Sequence, residues 1–409
     1  MNKKSQTETL AGVDSASEII TQRYQQVMMN TFGAPQRVFV RGEGVYLWDA
    51  EDNKYLDLLA GIAVNVLGHA HPKVVEAVSA QLATLGHVSN FFATGEQVAL
   101  AGKLIEFATA NDPGRVAKVF FANSGTEANE AGLKLTRMTG RKKIIAMEGA
   151  FHGRSMGALA LTWNKPYREP FEPLPGIVEF VPYGNSTRLA RIIDDSVAAV
   201  IVEPIQGENG IVVPDDGYLA EVRKITQKAG ALLWLDEIQT GMGRTGTWLA
   251  SQPSGVTADI VTLAKGLGNG FPMGACVATG AAADLLGPGS HGSTFGGNPV
   301  AAAAGLATIK AVERQGLMKH AVKLAARLET RIEKLNLFEV ESVRGRGLLC
   351  GIVLRPAIAA DVARVALDAG FVINAPRPNV LRLAPPLIIT AKQLDTFIDA
   401  LPELIKAAR

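Results

Sequence analysis

Cysteine is scarce in this chain: 409 residues hold two, Cys276 and Cys350, each inside an apolar run. So few thiols exclude a disulfide framework, and the expected compartment is a reducing one, with the cytoplasm as the default. No apolar run reaches the roughly 20 residues that cross a bilayer, because Asp, Gly or Pro interrupts each long one. The first residues, MNKKSQTETLAGVDSASE, carry a Lys pair with no apolar segment behind it and no small-residue cleavage site, so they read as a loose polar arm rather than a secretory signal. A surplus of one charge is also missing. Forty-one Lys and Arg face 39 Asp and Glu, a net charge of +2, which leaves nothing basic enough to track a phosphate backbone. Neither nucleic acid nor a membrane is expected as a partner.

What is present is an ordinary globular composition, 47% hydrophobic and 20% charged. At about 150 residues per domain the length suits two or three units. The text VFVRGEGVYLWDAEDNKYLDLL predicts a short meander around Gly42, Gly44 and the AEDN turn. Pro72 then opens a helix with Val74, Val78, Leu82 and Leu85 on one face. Between about Val116 and Thr279 the runs VAKVFF, KIIAM, VAAVIVE, GALLWLD, DIVTLAK and GACVAT predict strands buried on both faces of a mostly parallel sheet with helices packed against it. The Ala-rich stretch after Asn298 begins a helical region leading to a strand at GLLCGIVL. A last helix is capped by Thr390 and Gln393, with Leu394, Phe397, Ile398, Leu401 and Ile405 on one side. The expected organisation is α/β: residues 67–305 as a large domain, 306–409 as a smaller α+β domain, and 1–66 as an arm and meander belonging to the smaller one.

In a parallel sheet, ligands gather beyond the carboxyl ends of the strands, so chemistry is expected just after each apolar run. After VAKVFF, Ser124 and Glu127 frame a capping box, and Gly125 and Thr126 place free N–H groups and a hydroxyl at the positive end of a helix. After GALLWL comes Asp236, with Gln239 beyond it; after DIVTLA comes Lys265 and a glycine-rich loop; after KIIAM comes Phe151-His152-Gly153-Arg154. Singly, each has a plain structural reading: a helix cap, a solvated strand end, a surface lysine, and core filler or a capping histidine. Together they match one cofactor. A pyridine aldehyde phosphate needs an imine-forming lysine, a carboxylate that keeps the ring nitrogen protonated, a phosphate cup, a ring to stack on and a donor for its phenolic oxygen. Lys265, Asp236, Gly125 with Thr126, Phe151 and Gln239 fill these roles in that order.

The motifs NSGTEAN, FHGR, EPIQGE, LDEIQTGMGRTG, LAKGLGNGFPMGA and HGSTFGGNP, in this order, resemble the class III (ω-amino) aminotransferases, which use pyridoxal 5'-phosphate (PLP) and share the PLP-dependent transferase fold type I. The resemblance runs from GEGVYLWD to LRLAPPL. It implies a homodimer with shared active sites, in which Thr294 reaches the phosphate of the partner subunit's cofactor. It also implies that Glu208 pairs with Arg382 until the α-carboxylate of an oxo acid claims the arginine, and that Arg154 and Ser293 hold the distal carboxylate of either substrate. GIAVNVLGHAHP and the spacing around FHGRSMGALALT are most similar to the branch acting on N2-acetyl-L-ornithine with 2-oxoglutarate as acceptor, a step of arginine biosynthesis. Phe32 stands where relatives acting on free ornithine place a tyrosine, and Gly61 with Ile62 would leave room for an acyl group. Ornithine, succinylornithine, succinyldiaminopimelate or 4-aminobutyrate as donor, a PLP-dependent aminomutase, and a PLP-binding regulator are the other readings.

Three features read as decoys. Gly241-Met-Gly243-Arg-Thr-Gly246 fits a dinucleotide pattern, but DEIQT intervenes after the strand and no acidic residue lies about 20 positions on. His69 and His71 lack the further ligands of a zinc site, and no metal is expected. Trp163, Phe91 and Phe92 read as core or interface.

Overall fold

The computed structural model describes residues 15–409, and most of the expected polar arm lies outside them. The arm's last residues are instead the start of a helix, Ala16–Val27, closed by reciprocal Ser15 and Glu18 hydrogen bonds. None of its residues is buried, although Ile20, Tyr24 and Val27 recur at helical spacing. The meander follows as read: β1 (Phe39–Glu43), β2 (Tyr46–Asp49) and β3 (Lys54–Asp57) pair antiparallel. Asp49 ties its AEDN turn by accepting from the N–H groups of Glu51 and Asn53. The helix Pro72–Thr84 begins at Pro72, but only part of its predicted face packs. Val74 is buried, whereas Leu82 and Leu85 are 63% and 41% exposed, because within one chain nothing covers that end.

All six apolar runs become strands of one seven-stranded sheet: β4 (Ala117–Ala122), β5 (Lys143–Met147), β7 (Val197–Val202), β8 (Leu232–Asp236), β9 (Ile260–Leu263) and β10 (Gly274–Thr279), with β6 (Ile177–Val181) as the seventh. The order is β4-β10-β9-β8-β7-β5-β6, and β10 alone runs against its neighbours. Sequence reasoning missed β6, a half-covered edge strand whose GIVEFV text is broken by Glu179. β7 is buried at every position, as a central parallel strand with helices on both faces must be.

Beyond the long helices Pro299–Arg314 and Leu317–Leu335 come β11 (Val340–Arg346), β12 (Leu349–Leu354), β13 (Phe371–Val372), β14 (Asn374–Arg377) and β15 (Val380–Leu383). Four of these form an antiparallel sheet in the order β11-β12-β15-β14, while β13 pairs parallel with β3. The C-terminal helix Ala391–Ala407 carries the Thr390–Gln393 capping box and buries all five of the predicted apolar residues. One core joins Val45, Leu56 and Leu67 to Leu324, Leu381 and Phe397, so meander and C-terminal residues share an interior. Among the described residues no helix is long and apolar enough to cross a membrane.

Candidate active site

The carboxyl ends of β4, β5, β7, β8 and β9 open into one cavity of about 400 Å³. Gly125, Thr126, Phe151, Arg154, Glu208, Asp236, Gln239 and Lys265 all line it. Sequence separations of more than 100 residues are closed here because successive parallel strands deliver their ends to one edge.

Asp236, 3% exposed, ends β8. One carboxylate oxygen accepts from Asn129 Nδ2 at 2.9 Å and lies 2.7 Å from His152 Nδ1; the other accepts the Ile238 N–H at 3.0 Å. A buried carboxylate costs several kcal/mol unless so satisfied. His152 therefore orients Asp236 rather than capping a helix or merely filling space, and its Nε2 is buried without a partner among the described residues.

Lys265 follows β9 with φ 45°, in the left-handed region that non-glycine residues rarely adopt. Loss of solvent lowers the pKa of its ammonium, and Glu208, Asp236 and Glu203 only partly offset that. The loop after it is bolted to the N-terminal segment, since Asn269 accepts the Leu67 N–H at 2.7 Å and donates to Gly68 O at 3.2 Å.

At the β4 end, the helix Gly125–Arg137 starts with half of the expected capping box. Ser124 Oγ accepts the Glu127 N–H, but Glu127 reaches back to Asn123, whose backbone N–H and side-chain amide it accepts at 2.9 and 2.8 Å. The N–H groups of Gly125 and Thr126 have no acceptor among the described residues and line the cavity at the helix's positive end. The space is cut to fit. A Cβ on Gly125 would sit 2.8 Å from Ile238 Cδ1, and one on Gly153 would strike Thr126 Oγ1, which pairs with Ser155 Oγ at 2.6 Å.

Arg382 does not line the cavity. It sits on β15, 1% exposed, behind Glu208 and Gln239. Its guanidinium is ion-paired to Glu208, donates to Asn374 Oδ1 at 3.0 Å and approaches Gln239 Oε1 at 3.4 Å. Burial works to raise the Glu208 carboxyl, and the charge and hydrogen bond of Arg382 override it, holding the group below the usual carboxylate range. Ser293 and Thr294 lie elsewhere within one chain, in a groove with His87 and Phe91, and Ser293 touches the cavity only through Asn123 at 3.4 Å. Phe91 and Phe92 are 93% and 65% exposed, which excludes them from the core of the single chain. Phe32 is 90% exposed and does not line the cavity; the only wall residue from the GIAVN segment is Val64, next to the left-handed residues Ala60 to Ala63.

Sequence reasoning passed over Glu203, at the end of β7, although the same rule of strand ends points to it. Glu203 is 5% exposed and accepts the Phe151 N–H at 3.0 Å. Burial, reinforced by nearby Asp236 and opposed by His152, pushes its pKa up to about 7. The G-x-G-x-x-G segment is a loop whose Arg244, fully buried, donates to the carbonyls of Leu348 and Pro385, fastening β8's trailing loop to the C-terminal sheet. His69 bonds Asp57 at 2.7 Å. Among the described residues no three metal-binding side chains cluster.

The family model for aminotransferase class-III matches residues 28–405. The acetylornithine aminotransferase of Mycolicibacterium smegmatis is 55% identical over 386 residues, covering 94% of this chain and 98% of that protein. That of Mycobacterium tuberculosis (strain H37Rv) is 53% identical over 98% of this chain and 99% of its own length. In structure, the ornithine aminotransferase of Toxoplasma gondii, with PLP in partial occupancy, is similar at TM-score 0.90 and 29% identity over 96% of both chains. The acetylornithine aminotransferase of Elizabethkingia anophelis is similar at TM-score 0.84 and 32% identity over 95% of this chain and 98% of that one.

Proposed function

The chain belongs to the class-III aminotransferases, enzymes of PLP-dependent fold type I, and from that premise we propose that it moves the terminal amino group of N2-acetyl-L-ornithine to 2-oxoglutarate. The products are N-acetyl-L-glutamate 5-semialdehyde and L-glutamate. The observation that carries the two-substrate chemistry is the placement of Arg382: a buried cation at the back of the cavity, screened from it by Glu208. A neutral chain can lie against the closed pair, and a carboxylate can displace Glu208 and meet the guanidinium's planar fork.

The residues suit pyridoxal 5'-phosphate on independent grounds. The unpaired N–H groups of Gly125 and Thr126 offer a phosphate seat without room for a side chain. Asp236 brings a fixed buried negative charge, Phe151 a ring, and Lys265 an amine with a depressed pKa. When bound, the cofactor supplies an aldehyde that joins to amines and a cationic ring that accepts electrons from the carbon beside the nitrogen. Lys265 Nζ then moves a proton to and from that carbon as base and acid. Asp236, locked by Asn129 and His152, would supply the charge that keeps the cofactor's ring nitrogen protonated. Gln239 would donate to the ring's oxygen, and Arg154 would take the carboxylate distant from the reacting group. The reading includes a cytoplasmic homodimer, with Thr294 and Ser293 acting across the interface.

A donor panel with 2-oxoglutarate on the purified protein tests this. We expect acetylornithine to exceed ornithine in kcat/KM by at least about tenfold, the ratio given by roughly 1.4 kcal/mol of differential transition-state binding. Equal efficiency of the two donors would move the assignment to another member of the class.

A further inference from the structure

Arg154 is the one cavity-lining arginine, and among the described residues no carboxylate pairs with it and no acceptor takes its N–H groups. What holds it is a ring. Its guanidinium carbon lies 3.4 Å from the centroid of Tyr167 and 5.7 Å from that of Phe151. We propose that Tyr167 is a positioning residue for substrate carboxylate binding, keeping the Arg154 guanidinium flat at the cavity wall with its donors free. The inference rests on the reading that Arg154 binds the substrate's distal carboxylate.

The geometry has a physical logic. A guanidinium donates hydrogen bonds only in its own plane, so an aromatic face restrains the group without occupying any donor. An acidic partner would restrain it equally well but would compete with the substrate. The turn that presents Tyr167, Lys165–Arg168, is itself pinned to the sheet. On one side Trp163 meets Phe180 of β6 edge-on with centroids 5.1 Å apart, and its backbone N–H donates to Ala150 O at 2.9 Å, next to Phe151. On the other side Arg168 stacks over the same Phe180 at 4.7 Å. Tyr167 therefore stands on a fixed turn, and the long Arg154 side chain loses its freedom before substrate arrives, which is how preorganisation raises affinity.

The test uses cofactor-loaded Tyr167→Leu and Tyr167→Phe, with glutarate as a dicarboxylate probe in calorimetry. Tyr167→Leu should weaken glutarate binding about fivefold, the size of a partly exposed cation–π contact, while Tyr167→Phe, which keeps the face, should stay within about twofold of wild type. KM for acetylornithine should rise in parallel with kcat nearly unchanged. In an Arg154→Ala background, Tyr167→Leu should have no further effect, because the two side chains act as one unit. Undiminished glutarate binding by Tyr167→Leu, equal weakening by both variants, a loss that persists without Arg154, or no glutarate binding to wild type would each overturn the proposal. Failure of the functional reading is seen separately, as wild-type protein that transfers no amine from acetylornithine.

Discussion

Glu208→Gln is the perturbation that separates the two half-reactions. The change keeps the side chain's size and removes the charge that neutralises Arg382. Breaking a fully buried ion pair costs about 3–5 kcal/mol, and an exposed pair is worth about 0–1 kcal/mol. This pair lies between those limits, since the side chain of Arg382 is 1% exposed and that of Glu208 is 35% exposed. An intermediate value near 1.5 kcal/mol is the cost of parting Glu208 from Arg382 that an α-carboxylate no longer has to meet, about tenfold in affinity. Single-turnover measurements that follow the cofactor's absorbance give each half-reaction by itself. The apparent Kd of 2-oxoglutarate should fall about tenfold, that of L-glutamate similarly, and that of acetylornithine should change by less than about threefold. The pair does not titrate in such assays. Because the Glu208 carboxyl is held below its ordinary range, the pair's contribution is complete above the ordinary carboxylate pKa and is lost only as pH falls through the depressed one. An unchanged or weakened affinity for 2-oxoglutarate in Glu208→Gln would refute the gating role.

Three further outcomes are expected. Asp236→Asn should retain the fold and lower kcat by about 10²–10³, several kcal/mol of barrier for a lost buried charge partner; wild-type turnover would reassign the residue. Glu203 titrates near 7 in the folded chain against 4.5 for an ordinary glutamate, so its contribution to stability is fully present below pH 4.5 and is lost as pH rises through 7. Cofactor-free Glu203→Gln should therefore gain on wild type in stability between pH 5 and 8, by up to roughly 3 kcal/mol and seen as a rising Tm difference, and parallel pH profiles would contradict the shift. In the proposed homodimer, mixing Lys265→Ala with Thr294→Ala under subunit exchange should restore activity, because both lesions would then fall in one of two shared sites; a monomer in sedimentation analysis would exclude it.

The sequence by itself determined the sheet and the chemistry at its edge. Continuous apolar runs such as VAAVIV suit a strand covered on both faces, and parallel strands must present their following residues at a common edge, which is why Lys265, Asp236, Phe151 and Gly125 were legible as one site. Tertiary structure decided what depends on environment rather than on residue type. That Arg382 lies behind Glu208, that His152 and Asn129 lock Asp236, and that Glu203 is pushed up to about 7 follow from burial and from contacts between residues up to 174 positions apart, and no local pattern encodes those. The same holds where the prediction failed. Leu82 and Leu85 have the helical spacing of a buried face and remain exposed, because periodicity specifies which side of a helix is apolar while only the fold decides whether anything lies against it.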